Sequence, residues 1–397
     1  MYEIGSEFNY IEKEVNVDFT AMFQGFDDVR FLRCGRDAIG YVCEDIKKKV
    51  DDTDAKFVAL LPALCCDSMY KPFEVHDILV RYYRINDDLS VNTQSLQERI
   101  EETNSRYENY HIIVLTAIYY GTYDIAKINA YVKGIDKDIT VIEDVTQGVL
   151  ETKEFDKDNA DYVIGSIRKW LGIPDGAVAI KNGTASKKAD RYSFQIEPLC
   201  GENSFATERF EALRMKTDYL LNGDPLLKAK FRELLGHAED TLDDGATIYE
   251  ISNESSKYLS SVPLKNIIST RNNNYDTLFR LLEKSEYNNL YFKLFPKKLD
   301  KIPAFMLPVL IDTDRLNKDM NRKKAIDRNE FESILAKEGI YAPVLWPISD
   351  EAKESCEVSS YIADHILCFW IDQRYDRFDM VHTKETFEEV IRRMLKD

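Results

Sequence analysis

Between Lys56 and Ile180 short apolar runs recur, and the intervals between them carry helical patterns. Lys56–Leu61, closed by Pro62, is followed by Val80–Ile85, His111–Leu115, Thr140–Ile142, Tyr162–Ile164 and Ala177–Ile180. Between them, Asp67–Glu74, Ser95–Tyr107 and Asp124–Gly134 read as helices. Runs this uniformly apolar suit strands covered on both faces, and their alternation with helices predicts an α/β domain around a mostly parallel sheet. The last run follows its predecessor too closely for a helical crossover, so it is predicted to return antiparallel.

Parallel strands bring their C-terminal ends to one edge of the sheet, where ligands of such folds bind. The chain places Glu143-Asp144 at the end of one strand, and Ser166 and Lys169 just past the next, so both would face one crevice. A lysine beside Trp170 and an apolar run is expected to be partly desolvated, which favours the neutral amine that condenses with an aldehyde. Pyridoxal phosphate needs such a lysine, together with an acid for its ring nitrogen. The plain alternative is that Asp144 caps a helix and Lys169 is a solvated surface residue. Upstream, Gly35-Arg36-Asp37 opens a helix with Ile39, Val42, Cys43 and Ile46 on one face. The first amides of a helix attract anions, and Arg36 adds charge there.

Composition narrows the partners. A formal net charge of -17 repels nucleic acid and anionic membranes, leaving small molecules as the expected ligands and any anion site a local one. The seven cysteines are odd in number and include the adjacent pair Cys65-Cys66, which suggests reduced thiols and a cytoplasmic location. No signal-like segment or membrane-length apolar run is seen, and no histidine stands at metal-ligand spacing.

At 397 residues two packed units are expected. The division reads as an N-terminal arm over 1–26, a large cofactor-binding domain over 27–223 and a smaller α+β domain over 224–397. Helical patterns cover Thr207–Leu221, Asp224–Leu242, Ile248–Leu259, Tyr275–Lys284 and Phe387–Leu395; strands are expected around Pro303–Asp312, and Asn317–Lys324 is a charge-rich stretch read as a solvated loop or a helix start.

From Gly35 to the Ile371–Tyr375 segment the chain resembles the DegT/DnrJ/EryC1/StrS aminotransferases, which are fold-type I, aspartate-aminotransferase-like pyridoxal phosphate enzymes. Glu143-Asp144-Val-Thr-Gln147 is similar to that family's Glu-Asp-Ala-Ala-Gln/His. The resemblance implies that Asp144 pairs with the ring nitrogen, that Gln147 lies near the phenolic oxygen, and that Lys169 is the Schiff-base lysine before the Asp175-Gly176 turn. Ser166, Gly35 and Arg36 would hold the phosphate. Gly201-Glu202-Asn203 resembles a Gly-x-Asn whose Asn203 reaches the phosphate of a neighbouring subunit, implying a homodimer with shared active sites. Tyr120, in a Tyr-Gly segment like the family's, and Arg374 are the substrate-side candidates. Arg374 would serve as a carboxylate clamp, with an ion pair to Asp372 or Asp376 as its alternative. The implied reaction moves an amino group from a donor such as glutamate to a keto sugar nucleotide or similar small ketone. The chain departs from the family pattern where Cys34-Gly35-Arg36 replaces Ser-Gly-Thr, and where Ala63–Cys66 offers no aromatic residue to stack on the ring. Another fold-type I enzyme, an amino-acid aminotransferase or a lyase, and a non-catalytic module on the same fold are the alternatives.

Overall fold

The computed structural model describes residues 3–10, 19–26, 28–50, 54–106, 110–182, 193–194, 196–201, 203–320 and 325–396. Residues 11–18 of the expected arm, Tyr107, Glu202 and the end of the charged stretch at 321–324 lie outside the described residues.

The first half forms β1 Asp28–Leu32, α1 Gly35–Lys49, β2 Lys56–Pro62, α2 Asp67–Val75, β3 Leu79–Tyr83, α3 Thr93–Arg106, β4 Tyr110–Ala117, α4 Ile125–Ile135, β5 Thr140–Asp144, β6 Tyr162–Ser166 and β7 Ala177–Lys181. These strands make a seven-stranded sheet in the order β1-β7-β6-β5-β4-β2-β3. Neighbours from β3 through β6 pair in parallel. β7 alone is antiparallel, to β6 on one side and β1 on the other, as the short spacing predicted. β1 therefore runs with the parallel strands, and its C-terminal end lies on the same edge as theirs. β6 and β7 are buried at every position, and β2 exposes only Lys56, so both faces of the sheet are covered. Gly176 closes the β6–β7 connection at φ +140°, a conformation open to glycine and strained for other residues.

Sequence reasoning did not find β1. Asp-Val-Arg-Phe-Leu mixes charges with apolar residues because it is an edge strand with partly exposed positions, and it lacks the uniform signal of the central strands.

Beyond the sheet, α5 Ser204–Asn222 and α6 Pro225–Asp240 pack as a helical hairpin with its own small core of Ala212, Tyr219, Phe231 and Leu235. The expected helix over Ile248–Leu259 is shorter. Its first residues are extended, with Tyr249 bridging Leu199 and Glu250 bridging Leu32, and Ser252 caps α7 Asn253–Leu259. Helix α8 Leu264–Glu283 and the final helix Arg377–Lys396 both start earlier than their patterns suggested. They pack on an antiparallel sheet ordered β10-β9-β8, comprising β8 Phe292–Leu294, β9 Leu307–Ile311 and β10 Ile366–Phe369. This second core centres on Phe387, which meets Phe292, Phe331 and Phe369 with ring centroids 5.1, 5.9 and 5.1 Å away. Residues 3–10 lie against both parts of the chain: Tyr10 N–H donates to Leu213 O at 3.1 Å, and Ile4 N–H donates to Gly339 O at 2.9 Å.

Glu143, next to the candidate acid, is fully buried; its Oε2 accepts from Asn129 Nδ2 and the Asp156 amide at 3.1 Å each, while its Oε1 has no partner. Burial pushes its carboxyl up to about 8 from an ordinary 4.5, with Asp156 adding to the rise and the two hydrogen bonds opposing it. The folded chain then holds a proton that the unfolded chain releases above 4.5. Stability is therefore expected to fall as pH rises from about 4.5 to about 8, by a few kcal/mol as an order of magnitude. Glu143→Gln should flatten that part of the profile, measured as urea midpoints across this range; an unchanged slope would mean another group carries it.

Candidate functional site

The loops after β1, β2, β4, β5 and β6 all leave the same edge of the sheet, and there they enclose a cavity of about 370 Å³. Gly35 and Arg36 open α1 after β1, Cys66, Ser68 and Met69 lie at the start of α2 after β2, and Ala117–Tyr119 span the end of β4; Asp144 ends β5 and Thr146 and Gln147 follow it, and Ser166 ends β6 and Arg168 and Lys169 follow it. Six of the sequence candidates, Gly35, Arg36, Asp144, Gln147, Ser166 and Lys169, thus line one space.

Asp144 is not a helix cap. Its Oδ1 accepts the Thr146 amide two residues on, at 2.8 Å, and burial raises its carboxyl while Thr146 and the charge of Lys169 pull it down. Gln147 is buried and its Oε1 accepts the Tyr120 amide at 2.6 Å, leaving the side-chain NH2 as its remaining donor. That bond pins Tyr120, which sits in the left-handed region at φ +51°. Ser166 is 3% exposed, and its Oγ has no hydrogen-bond partner. Lys169 differs from expectation: it is exposed, opening into the cavity, rather than desolvated against Trp170. Trp170 turns the other way, into the core, where its ring lies 5.2 Å from Phe305 and under the buried guanidinium of Arg271.

Three candidates lie outside the cavity. Tyr120 is buried and its hydroxyl meets Cys368 Sγ at 3.1 Å. Asn203 caps α5, its Oδ1 accepting the Ala206 amide at 2.8 Å, with its Nδ2 buried within the chain and unpartnered. Arg374 takes its alternative role: Nε and Nη2 clamp the fully buried Asp372 at 2.8 and 2.9 Å, and Nη1 donates to Glu7 O at 2.8 Å. Its guanidinium fastens the N-terminal segment and is not available as a substrate clamp.

Sequence reasoning missed Thr146, Arg168, Glu7, Glu239 and an apolar wall that includes Phe8, Phe305, Trp346 and Trp370. Thr146 and Arg168 lie inside the flagged stretch, where polarity next to a functional residue was the available signal. Glu239 and the wall come from distant segments and carried none. The segment after β2, where the family resemblance led to an aromatic residue being expected, contributes Cys66, Ser68 and Met69 to the lining and no aromatic residue.

All seven cysteines are free. Among the described residues no His/Cys/Asp/Glu cluster suited to a metal is found, and no helix is long and apolar enough to cross a membrane.

No protein-family model matches the chain, and no curated protein matches its sequence. Solved structures match its shape. A putative sugar aminotransferase from Streptococcus pneumoniae in the PMP form aligns over 100% of this chain and 99% of its own, with TM-score 0.64 and 10% identity. A DegT DnrJ EryC1 StrS aminotransferase from Brucella abortus aligns over 95% and 91%, with TM-score 0.60 and 11% identity. The sugar aminotransferase CalS13 from Micromonospora echinospora aligns over 97% and 99%, with TM-score 0.59 and 13% identity. The chain has the α/β fold of these fold-type I aminotransferases; identities this low speak for the fold alone.

Arg374→Ala should act on stability. It leaves Asp372 buried and unpaired, a loss of about 3–5 kcal/mol, to be read from the urea midpoint. A fully stable variant would restore the substrate-clamp reading.

Proposed function

We propose that this chain is a pyridoxal phosphate-dependent aminotransferase that moves an amino group from a donor such as glutamate to a keto sugar nucleotide or a similar small ketone. The observation that carries the reading is the meeting of Asp144, Gln147, Ser166, Lys169 and the N-terminus of α1 on one cavity at the C-terminal edge of the sheet. The residues present fit the cofactor. Ser166 offers a buried hydroxyl with no partner, the first turn of α1 offers amides with no intrahelical acceptor, and about 370 Å³ lies within the range of small-molecule sites.

When bound, pyridoxal phosphate supplies an aldehyde that condenses with amines and a ring that draws electrons from the substrate carbon. The chain's own residues hold it and move protons. Asp144, fixed by the Thr146 amide, holds a proton at the ring nitrogen. Asp144 would hold that proton as an ionised carboxylate, the form that burial opposes and that Thr146 and the charge of Lys169 favour. Gln147 directs its NH2 as a donor for the phenolic oxygen. Ser166, Gly35 and Arg36 bind the phosphate. Lys169 Nζ anchors the cofactor and then takes and returns the proton at the substrate carbon, a role that suits an amine open to the cavity.

The apolar wall of Phe8, Phe305, Trp346 and Trp370 faces this chemistry and supports a substrate with a ring or apolar body. Arg374 is engaged with Asp372, so the carboxylate of an amino-acid donor has to be met by another group of the cavity.

Purified protein should gain a visible absorbance band with pyridoxal phosphate, and borohydride should fix the cofactor on Lys169, as read by peptide mass. Lys169→Ala should lose both. A wild-type chain that gains no band and carries no label at Lys169 sinks the proposal. A glutamate half-reaction that bleaches the band supports the donor.

A homodimer is part of the same reading, supported by the apolar Leu221 and Leu226 left exposed where α5 meets α6. Light scattering at micromolar concentration should give twice the chain mass; a monomer would remove the shared-site component.

A further inference from the structure

Three arginines meet one carboxylate at the end of the cavity formed by Cys34, Gly35 and Ser166. Arg168 Nη1 lies 3.1 Å from Glu239 Oε1, Arg209 Nη1 lies 3.0 Å from the same oxygen, and Arg36 Nη1 lies 3.5 Å from Oε2. Arg209 is occupied elsewhere. Its Nε donates to Pro174 O at 2.9 Å and its Nη2 pairs with Glu7 at 3.2 Å, and it does not line the cavity. Arg36 and Arg168 do line it, in company with Gly35, Ser166 and Glu239. Arg168 keeps a buried Nε without a hydrogen-bond partner, and the hydroxyl of Ser166, two residues earlier in the chain and on the same cavity, is likewise unpartnered. Its charge also acts on the Cys34 thiol, which burial pushes up to about 12 and which Arg168 and Arg33 pull down. Cys34 is the N-cap of α1, and it lines the same cavity as Arg168.

We propose that Arg168 joins Arg36 as a ligand for the cofactor phosphate, and that Glu239 of α6 is an internal anion that holds both guanidinium groups in place and competes with the phosphate for them. This rests on the pyridoxal phosphate reading and adds to it a binding residue and a positioning residue.

Guanidinium groups gathered at the positive end of a helix repel one another, and at the edge of a protein core that repulsion is poorly screened. The carboxylate of Glu239, shared by both groups, offsets it, together with Asp244 and Asp67, which lie 3.4 and 3.7 Å from Arg36. A carboxylate and a phosphate present the same kind of oxygen pair to a guanidinium fork, so the geometry that serves Glu239 also serves a phosphate. Phosphate binding then draws Arg36 and Arg168 away from a partner they already have. Without the Glu239 charge the empty cup loses stability and the phosphate gains affinity, the two effects being one coupling free energy.

Pyridoxal phosphate and pyridoxal differ only in the phosphate, so the ratio of their dissociation constants isolates this end of the site. Both are titrated by absorbance, with borohydride labelling of Lys169 as the marker of correct binding. Arg168→Gln should weaken pyridoxal phosphate at least tenfold and leave pyridoxal unchanged. Glu239→Gln should tighten pyridoxal phosphate at least threefold with pyridoxal unchanged, lower the Tm of the empty protein, and show a larger rise in Tm with inorganic phosphate than wild type. Should Glu239→Gln fail to fold, Glu239→Asp, which withdraws the carboxylate from the arginines, should shift the ratio in the same direction. If wild type is labelled at Lys169 but the ratio of the pyridoxal phosphate to the pyridoxal dissociation constant fails to rise in Arg168→Gln, or fails to fall in the Glu239 variant, this proposal falls while the cofactor reading stands. If wild type binds neither compound, both fall.

Discussion

Thr146 is the joint on which the site depends. Its amide donates to Asp144 Oδ1 at 2.8 Å, its Oγ1 accepts the Ser166 amide at 3.1 Å, and its carbonyl accepts Trp170 Nε1 at 2.7 Å. This single residue of the loop after β5 thus orients the acid, fixes the end of β6 and anchors the tryptophan beside Lys169. Side chains on a loop have many rotamers, and catalytic groups need placement within a fraction of an ångström. Here that placement comes from hydrogen bonds that each join a backbone group to a side chain around the ends of two parallel strands.

Trp170 carries the same constraint outward. Its carbonyl accepts from Arg271 Nη2 at 3.2 Å and from Gln373 Nε2 at 2.9 Å, so the turn holding Lys169 is tied to α8 and to the segment before the final helix. Arg271 has no exposed surface, and burial lowers its guanidinium to about 10. Its donors are met by Trp170 O, Phe305 O and Gln373, a set of acceptors that offsets the cost of burying it. Phe305 is itself part of the cavity wall, so the parts that carry the lysine and the wall are fixed by one cluster.

Charge is distributed unevenly on this acidic chain. A formal net charge of -17 coexists with a local gathering of Arg36, Arg168, Arg209 and Lys169 at one end of the cavity. Glu239 is pulled below its ordinary range there: burial would raise it, and the charges of Arg168, Arg209 and Arg36 outweigh burial. The long-range field of the protein repels anions, and the last few ångströms attract them.

The central strands and the acid-to-lysine stretch were legible in the sequence because doubly covered strands are uniformly apolar and because parallel strands share one C-terminal edge. The order of Asp144, Gln147, Ser166 and Lys169 along the chain was enough to bring them together. Tertiary structure decided what depends on contacts between distant segments. It gave Arg374 to the N-terminal segment at Ser6 and Glu7, and Tyr120 to Cys368, whereas the Arg374–Asp372 pair and the cap by Asn203 are local contacts. It also brought Glu239, more than sixty residues past Lys169, into contact with Arg168 and Arg36. A residue's type and its neighbours in the chain limit the chemistry it can do; which partner it meets is set by packing, and an arginine reads alike in sequence whether it faces a ligand or a buried aspartate.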